Sequence, residues 1–490
     1  MSVIDEIEKT ARACPAATAF LSGDGGLNYG EFLALLHEVT GTLRGHGLRA
    51  GDVVGLSMGQ SPLHCVVLLA LARLGAVSVP VHPEFPLPTR ERIVAKFGVC
   101  AVISLDGQHG IRGLKDIRLG VASRVTVPKE AGFTDMTPTP ATPFRISLTS
   151  GTTGIPKGDR LTHGHLTDRV ERTLFGCNCD RTSRVMPSDI NFTMAIAVCF
   201  GVLSLGGTIV FPTSSRPEDR IHALKEHAVT HAFLSQWAIT QMLDLLPEPR
   251  IAFPALEHLR PVGSLASEAL LESLRIRFTP HIFVTYGLTE LGPVSMADPE
   301  TLRRWPRSGG HLLPWVTVEV LGPDGTTLPR GESGEIRVRV DRGATGYHGD
   351  ALESARKFRN GWFCTGDHGR VAEDGLIFIE GRIDEMINLA GYKISPVYVE
   401  GTLMLHPQVA DAVAFVLQEG HSTEILAAAV ISRPGGVDMA DLSAHAEKHL
   451  GWGSPKRFFI LSDFPRTPNG KAIRSEMAAA ALRSTSCSAR

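Results

Sequence analysis

Between about residue 30 and residue 285 the chain alternates between two hydrophobic periods, and that alternation constrains the fold more than any other feature. Phe32, Leu33, Leu35, Leu36, Val39 and Leu43 fall at helical spacing, and the pattern stops at Gly45, Gly47 and Gly51. Val53–Met58 follows as a strand, Cys65–Leu74 as a buried helix closed by Gly75, and Val77–Val81 as the next strand. The rhythm returns in Thr208–Phe211, Arg216–His227, Thr230–Leu234, Gln236–Leu245, Leu259–Val262, Glu268–Phe278 and His281–Thr285. Strands separated by helices cannot pair as hairpins, so they assemble as parallel sheets with helices packed on them.

Beyond about residue 310 the texture changes. Val316–Leu321 and Glu335–Val340 are period-two runs separated by the turn sequences Pro323-Asp324-Gly325 and Gly331-Glu332-Ser333-Gly334, and Asp374-Gly375 divides two further apolar runs. This stretch predicts a small antiparallel sheet or barrel. From about 384 the chain reads as a compact α+β unit, with strands near 412–417 and 425–431 and a helix near 438–449. The small, polar tail after Ala479 is expected to fray. The fold class is therefore α/β. A large N-terminal domain (1–383) has parallel-type sheets covered by helices plus a small β-barrel. A small, mobile α+β C-terminal domain (384–490) follows.

With 49 basic and 51 acidic residues there is no charge excess to neutralise a polyanion, so nucleic acid is not an expected partner. No apolar run reaches the roughly 18 residues of a membrane span. The N-terminal MSVIDEIEKTARACP lacks the basic and apolar regions of a signal peptide. These readings predict a cytoplasmic protein. The eight cysteines are scattered, and Cys177 and Cys179 have no second pair to complete a zinc site.

The segment Ser147–Gly158, SLTSGTTGIPKG, carries the first chemistry. Three glycines, five hydroxyls and one lysine within twelve residues let backbone and side-chain donors ring an anion closely. It is not a P-loop, because Lys157 is followed by glycine instead of Ser or Thr. The segment closely resembles the signature loop of the acyl- and aryl-CoA synthetases, nonribosomal-peptide adenylation domains and firefly luciferases, the adenylate-forming enzymes. Further motifs follow in family order. Tyr286-Gly287-Leu288-Thr289-Glu290 resembles Y-G-x-T-E, and Trp362–Asp367 resembles W-x-x-T-G-D. Gly381-Arg382-Ile383-Asp384 resembles G-R-x-D. Gly391-Tyr392-Lys393 and Pro465-Arg466-Thr467-Pro468-Asn469-Gly470-Lys471 resemble two C-terminal loops of the family.

The resemblance implies a role for each. Thr149, Ser150, Gly151, Thr152, Thr153, Gly154 and Lys157 hold the ATP phosphates. Gly263, Ser264 and Leu265 line the adenine pocket, Tyr286 lies against adenine beside Gly287, and Thr289 meets the α-phosphate. Glu290 holds Mg²⁺, a hard cation suited to a carboxylate. Asp367 and Arg382 contact the ribose, Asp384 is the hinge, Gly391 lines the thiol tunnel, and Lys471 is the adenylation lysine. The implied reaction converts a small-molecule carboxylic acid with ATP to an acyl-AMP, and then to a thioester.

The acid itself is less legible. The Phe-Asp pair that holds an α-ammonium in amino-acid adenylation domains is Phe192-Thr193 here, which disfavours an α-amino acid. Asn191-Phe192-Thr193-Met194 aligns with the dihydroxybenzoate-activating enzymes, so Asn191 either meets a polar group on an aryl acid or caps the helix that follows. Trp237 is either a pocket wall or, as the reading favours, a core tryptophan. His163 and His165 read as structural or exposed, not catalytic. The chain ends about twenty residues after Lys471, so no fused carrier domain is expected. The acceptor is then coenzyme A, or alternatively the phosphopantetheine of a separate acyl carrier protein. A luciferase-like oxygenase and a catalytically silent nucleotide-binding homologue are the other readings.

Overall fold

The computed structural model describes residues 2–23, 25–105, 110–119, 138–149, 156–246, 250–263, 266–389, 392–419, 423–466 and 472–487. Two six-stranded sheets form the bulk of the N-terminal part. One runs in the order His258–Val262, His231–Ser235, Arg184–Met186, Thr208–Phe211, Thr18–Ser22, Gly25–Asn28. The other runs Lys115–Arg118, Ala101–Ser104, Val53–Ser57, Val77–Pro80, Pro143–Thr149, Lys157–Thr162. Neighbours are parallel in both sheets except for one antiparallel pair at the edge of each.

The helices Pro62–Leu74 and Thr193–Leu205 lie between the sheets. Residues Cys65–Ala72 and Ala195–Leu203 have essentially no exposure, which is why neither helix shows a one-sided apolar stripe. Their core joins Val54 and Leu56 of one sheet to Phe20, Ile209 and Phe211 of the other. Each helix stops at a glycine in the left-handed region, Gly75 at φ 68° and Gly206 at φ 87°, where a Cβ would be strained.

The antiparallel part that follows consists of a three-stranded sheet (Val284–Leu288, Gly292–Ala297, His311–Leu312) and a five-stranded one running from Val316–Leu321 to Ile377–Arg382. They curl around one core, Tyr286, Leu291 and Val294 meeting Val318, Ile336, Val338 and Ile377. Main-chain bonds between Gly309 or Gly310 and Ile377 join them into a barrel-like unit.

The C-terminal part has a short hairpin (Ile387–Leu389, Tyr392–Ile394), then the antiparallel pair Val409–Glu419 and Thr423–Ser432 extended in parallel by Arg457–Ile460. Helices Pro396–Leu403 and Met439–Leu450 share one apolar cluster with this sheet, and Met477 and Ala481 join Phe415 and Phe459 in the other.

Three local expectations are corrected. His281–Thr285 is not a further parallel strand. Only Ile282 bridges in parallel to Leu259, and the strand begins at Val284 and turns into the antiparallel sheet. The short apolar run was the same; its partner was different. The tail after Ala479 does not fray at once, because the helix Arg474–Cys487 runs through it with Ala481 buried against the sheet. Asn191 does not cap the following helix: the cap position is Phe192, which makes no side-chain capping bond.

Candidate active site

A cavity of about 2000 Å³ opens where the N-terminal sheets, the barrel-like unit and the C-terminal part meet. The last residues of four parallel strands reach it: Pro80, Met186, Ser235 and Val262 all line its wall. Ligands of open α/β sheets bind at such carboxyl ends, where strands stop and loops diverge.

The first cluster on this wall is built on strands of the barrel-like unit. The Tyr286 hydroxyl donates to Asp367 Oδ2 at 2.6 Å, and Arg382 Nη1 donates to Asp367 Oδ1 at 3.2 Å. Asp367 faces Arg382 in the antiparallel register of the hairpin closed at Asp374-Gly375. That register converts fifteen residues of chain separation into one contact. Burial, and then the Asp367 charge beside it, push the Tyr286 phenol well above its ordinary range, so it remains a donor. Arg382 also grips Asp384 through Nε at 3.0 Å and Nη2 at 3.1 Å. Burial works against the Asp384 charge, yet these bonds hold its carboxyl below the usual range. Gly287 lies in the same wall, where a Cβ would stand 3.0 Å from the Gly292 carbonyl oxygen.

The second cluster surrounds Glu290, which is 8% exposed and accepts from the Tyr347 hydroxyl at 2.6 Å through Oε1. Lys157 Nζ donates to Glu353 Oε1 at 2.6 Å and lies 5.5 Å from the Tyr347 ring centroid. Arg169 donates to the Thr289 carbonyl and stands 3.6 Å from Asp159 Oδ2, a carboxylate with no hydrogen-bond donor on either oxygen among the described residues. Burial pushes the Asp159 carboxyl up to about 7, with Arg169 pulling it down and Glu290 pushing it further up. Glu290 is a buried carboxylate on the cavity wall, with hard oxygen donors, so it fits a magnesium ion accompanying phosphates.

The strands on either side of the glycine- and hydroxyl-rich segment, Pro143–Thr149 and Lys157–Thr162, pair antiparallel, with Thr149 in register with Lys157. The helix His163–Leu174 begins only after the second strand. The Thr149 side chain, and Ser150, Gly151, Thr152, Thr153 and Gly154, lie outside the described residues, as do Ser264, Leu265, Gly391 and Lys471. Gly263 lies on the wall with φ 103°.

The third cluster follows the strand Arg184–Met186. Asn191 is buried, with Nδ2 donating to Asp189 Oδ1 at 2.9 Å, and Phe192 is 39% exposed on the wall. The Thr193 and Ser147 hydroxyls bond to each other, tying the start of the buried helix to the strand that carries the phosphate segment. Trp237 is not a core residue. It is half-buried on the wall, and the guanidinium of Arg466, from the C-terminal part, lies 4.0 Å from its ring centroid.

Residue patterns did not single out Tyr347, Arg169, Asp159, Glu353 or His82. Asp159 carried a usable signal, a carboxylate placed two residues after Lys157 in a strand. The others sit far apart in the chain and meet only through the fold.

The AMP-binding enzyme family matches residues 7–348, and the AMP-binding enzyme C-terminal domain matches residues 398–471. The chain belongs to the AMP-binding enzyme family. A 4-chlorobenzoate–CoA ligase of an Arthrobacter species is 27% identical over 489 residues, spanning 95% of this chain and 92% of its own length. A feruloyl-CoA synthase of an Amycolatopsis species is 28% identical over 485 residues, spanning 96% and 97%. The o-succinylbenzoate coenzyme A synthetase of Bacillus subtilis, in complex with AMP, matches with a TM-score of 0.85 at 21% identity, over 96% of this chain and 97% of that one. That likeness is one of fold. Among the described residues no helix is long and apolar enough to cross a membrane.

Proposed function

We propose that this chain is an acid–CoA ligase that activates an aryl or related non-α-amino carboxylic acid through an acyl-AMP. The observation that carries the reading is the convergence of Glu290, Lys157 and the Tyr286–Asp367–Arg382 cluster on one cavity of an AMP-binding enzyme. The relatives named as CoA ligases for 4-chlorobenzoate and as feruloyl-CoA synthase support an aryl acid and coenzyme A as acceptor.

In the first half-reaction a carboxylate oxygen of the acid bonds to the α-phosphorus of ATP, and the bond to pyrophosphate breaks. Two anions approach each other, so the protein's task is positioning and neutralisation of charge. Asp367 and Arg382 hold the ribose, Tyr286 and Gly287 flank the adenine, and Lys157 with the segment before it holds the phosphates. Glu290 would hold a magnesium ion, which when bound would offset the negative charge of the phosphates. Lys471 reaches the carboxylate and α-phosphate from the C-terminal part.

In the second half-reaction a thiol sulfur bonds to the acyl carbon, the thiol proton is lost and AMP leaves. The C-terminal part turns about Asp384, so that the Gly391 loop replaces Lys471 at the cavity. The Arg382–Asp384 bonds and the Arg466–Trp237 stack are the contacts such a turn must remake.

The experiment is pyrophosphate release across aryl, fatty and amino acids, each with and without coenzyme A. Release that depends on an aryl acid, with AMP and thioester accumulating only when coenzyme A is present, is the expected result. Release without any acid, or thioester with fatty acids alone, refutes the reading.

A further inference from the structure

The lobe of the cavity beyond Asn191 is polar in a way that an unsubstituted aryl ring or an alkyl chain would leave unanswered. Asp189 lies on the loop after the strand Arg184–Met186, its side chain 31% exposed on the cavity wall. Its Oδ2 faces His82 Nε2 at 3.2 Å, from the loop after the neighbouring sheet's strand Val77–Pro80, and its Oδ1 accepts from both nitrogens of Asn191 at 2.9 Å. Against the cost of burial these bonds hold the carboxyl below its usual range.

Around this carboxylate lie polar atoms that have no partner. Among the described residues Ser188 Oγ and Asn191 Oδ1, on the same loop and on the same cavity wall, make no hydrogen bond, and neither does His64 Nε2 in the helix beneath. Buried polar atoms are nearly always paired, so a group of orphans beside an open cavity marks a place where a ligand completes the set. The sign of the charge is also informative. Arg145 is fully buried, donates to the Asn191 carbonyl oxygen at 2.6 Å and is electrostatically coupled to Asp189. Arg220, on the cavity wall, is coupled to Asp189 in the same way, so two guanidiniums already offset the carboxylate charge and a neutral donor suits it better than a further cation.

Building on the ligase reading above, we propose that Asp189, positioned by His82 and Asn191, binds a neutral hydrogen-bond donor on the substrate acid. The substrate class is thus a hydroxyl- or amino-substituted aryl acid, with the phenol or aniline group remote from the reacting carboxylate.

The test is acid-dependent pyrophosphate release with benzoate and cinnamate and their ring-hydroxylated and ring-aminated derivatives. Sites built to bond a substrate hydroxyl reject the analogue lacking it by large factors. The best hydroxylated or aminated acid should exceed its unsubstituted parent in kcat/KM by about 10-fold or more, the effect of one hydrogen bond to a charged group. In Asp189→Ala that ratio should fall to about threefold. In Asp189→Asn, which keeps an acceptor oxygen, it should be intermediate. A wild-type enzyme that prefers the unsubstituted acids, or an Asp189→Ala enzyme with an unchanged ratio, overturns this inference and leaves the ligase reading standing. The wild-type panel decides even if a variant does not fold. Release with none of the aryl acids overturns the ligase reading, and the inference with it.

Discussion

Asp367→Asn, crossed with removal of the ribose 2′-hydroxyl, tests the nucleotide site most directly. Asp367 is 6% exposed, and each oxygen already serves one protein donor, Tyr286 at 2.6 Å and Arg382 at 3.2 Å. Each carboxylate oxygen has a second lone pair, which a ribose hydroxyl can use. The amide is nearly isosteric but has only one acceptor atom, and its NH₂ would face either Arg382, which cannot accept, or the tyrosine hydroxyl. A hydrogen bond to a charged group contributes about 1.5–3 kcal/mol. Wild-type enzyme should therefore prefer ATP to 2′-deoxy-ATP by about 10- to 150-fold in kcat/KM, measured by pyrophosphate release at saturating acid. The variant has lost that acceptor, so its preference should fall to about threefold or less, a non-additivity that marks direct contact. A variant with reduced activity but an unchanged preference for the 2′-hydroxyl would refute the ribose assignment. Thermal unfolding of both enzymes separates this from a fold defect.

Other outcomes follow from the same geometry. Lys471→Ala should abolish acyl-AMP formation while thioester formation from supplied acyl-AMP survives, and equal loss of both would remove Lys471 from the first half-reaction. Asp384→Pro should slow the thioester step selectively, measured by single-turnover transfer from acyl-AMP to coenzyme A. Arg474 lies between Glu400 and the Ala414 carbonyl, and the Glu400 Oε1 also accepts from Ala414 N at 2.8 Å. Arg474→Met strands that carboxylate and should cost about 3 kcal/mol of C-terminal stability, visible by denaturant unfolding. His163 is 2% exposed with neither ring nitrogen partnered among the described residues, and burial lowers it to about 4. Between about pH 6.5 and 4 the unfolded chain binds the extra proton, so stability is full above that window and is lost as pH falls through it. At pH 5 the loss is about 2 kcal/mol. His163→Phe, whose ring can keep the edge contact with Phe144, should flatten the fall of Tm between pH 7 and 5. An identical slope in both proteins would contradict this.

The legible part of the fold came from periodicity. Pro62–Leu74 and Gln236–Leu245 were readable because each is a single run whose length and stops allow one secondary structure. His281–Thr285 failed because a five-residue run with three apolar side chains suits either sheet, and only Leu259 on one side and Gly292–Ala297 on the other decide the pairing. The tail failed for a related reason. Its small residues carry little apolar signal of their own, and the helix exists because Met477 and Ala481 find Phe415 and Phe459.

The same division holds at the site. The sequence by itself determined the family, the order of its motifs and the residue types proposed to meet ATP, because glycines, hydroxyls and charges needed for phosphate contact are local requirements within a few residues. Tertiary structure alone decided what surrounds them. It set Tyr286 and Arg382 on Asp367, Tyr347 on Glu290, Arg466 on Trp237, and His82 on Asp189 across 107 residues of chain. Such contacts depend on strand register and on which loops leave the same sheet edge. Neither property is written in any single stretch of chain.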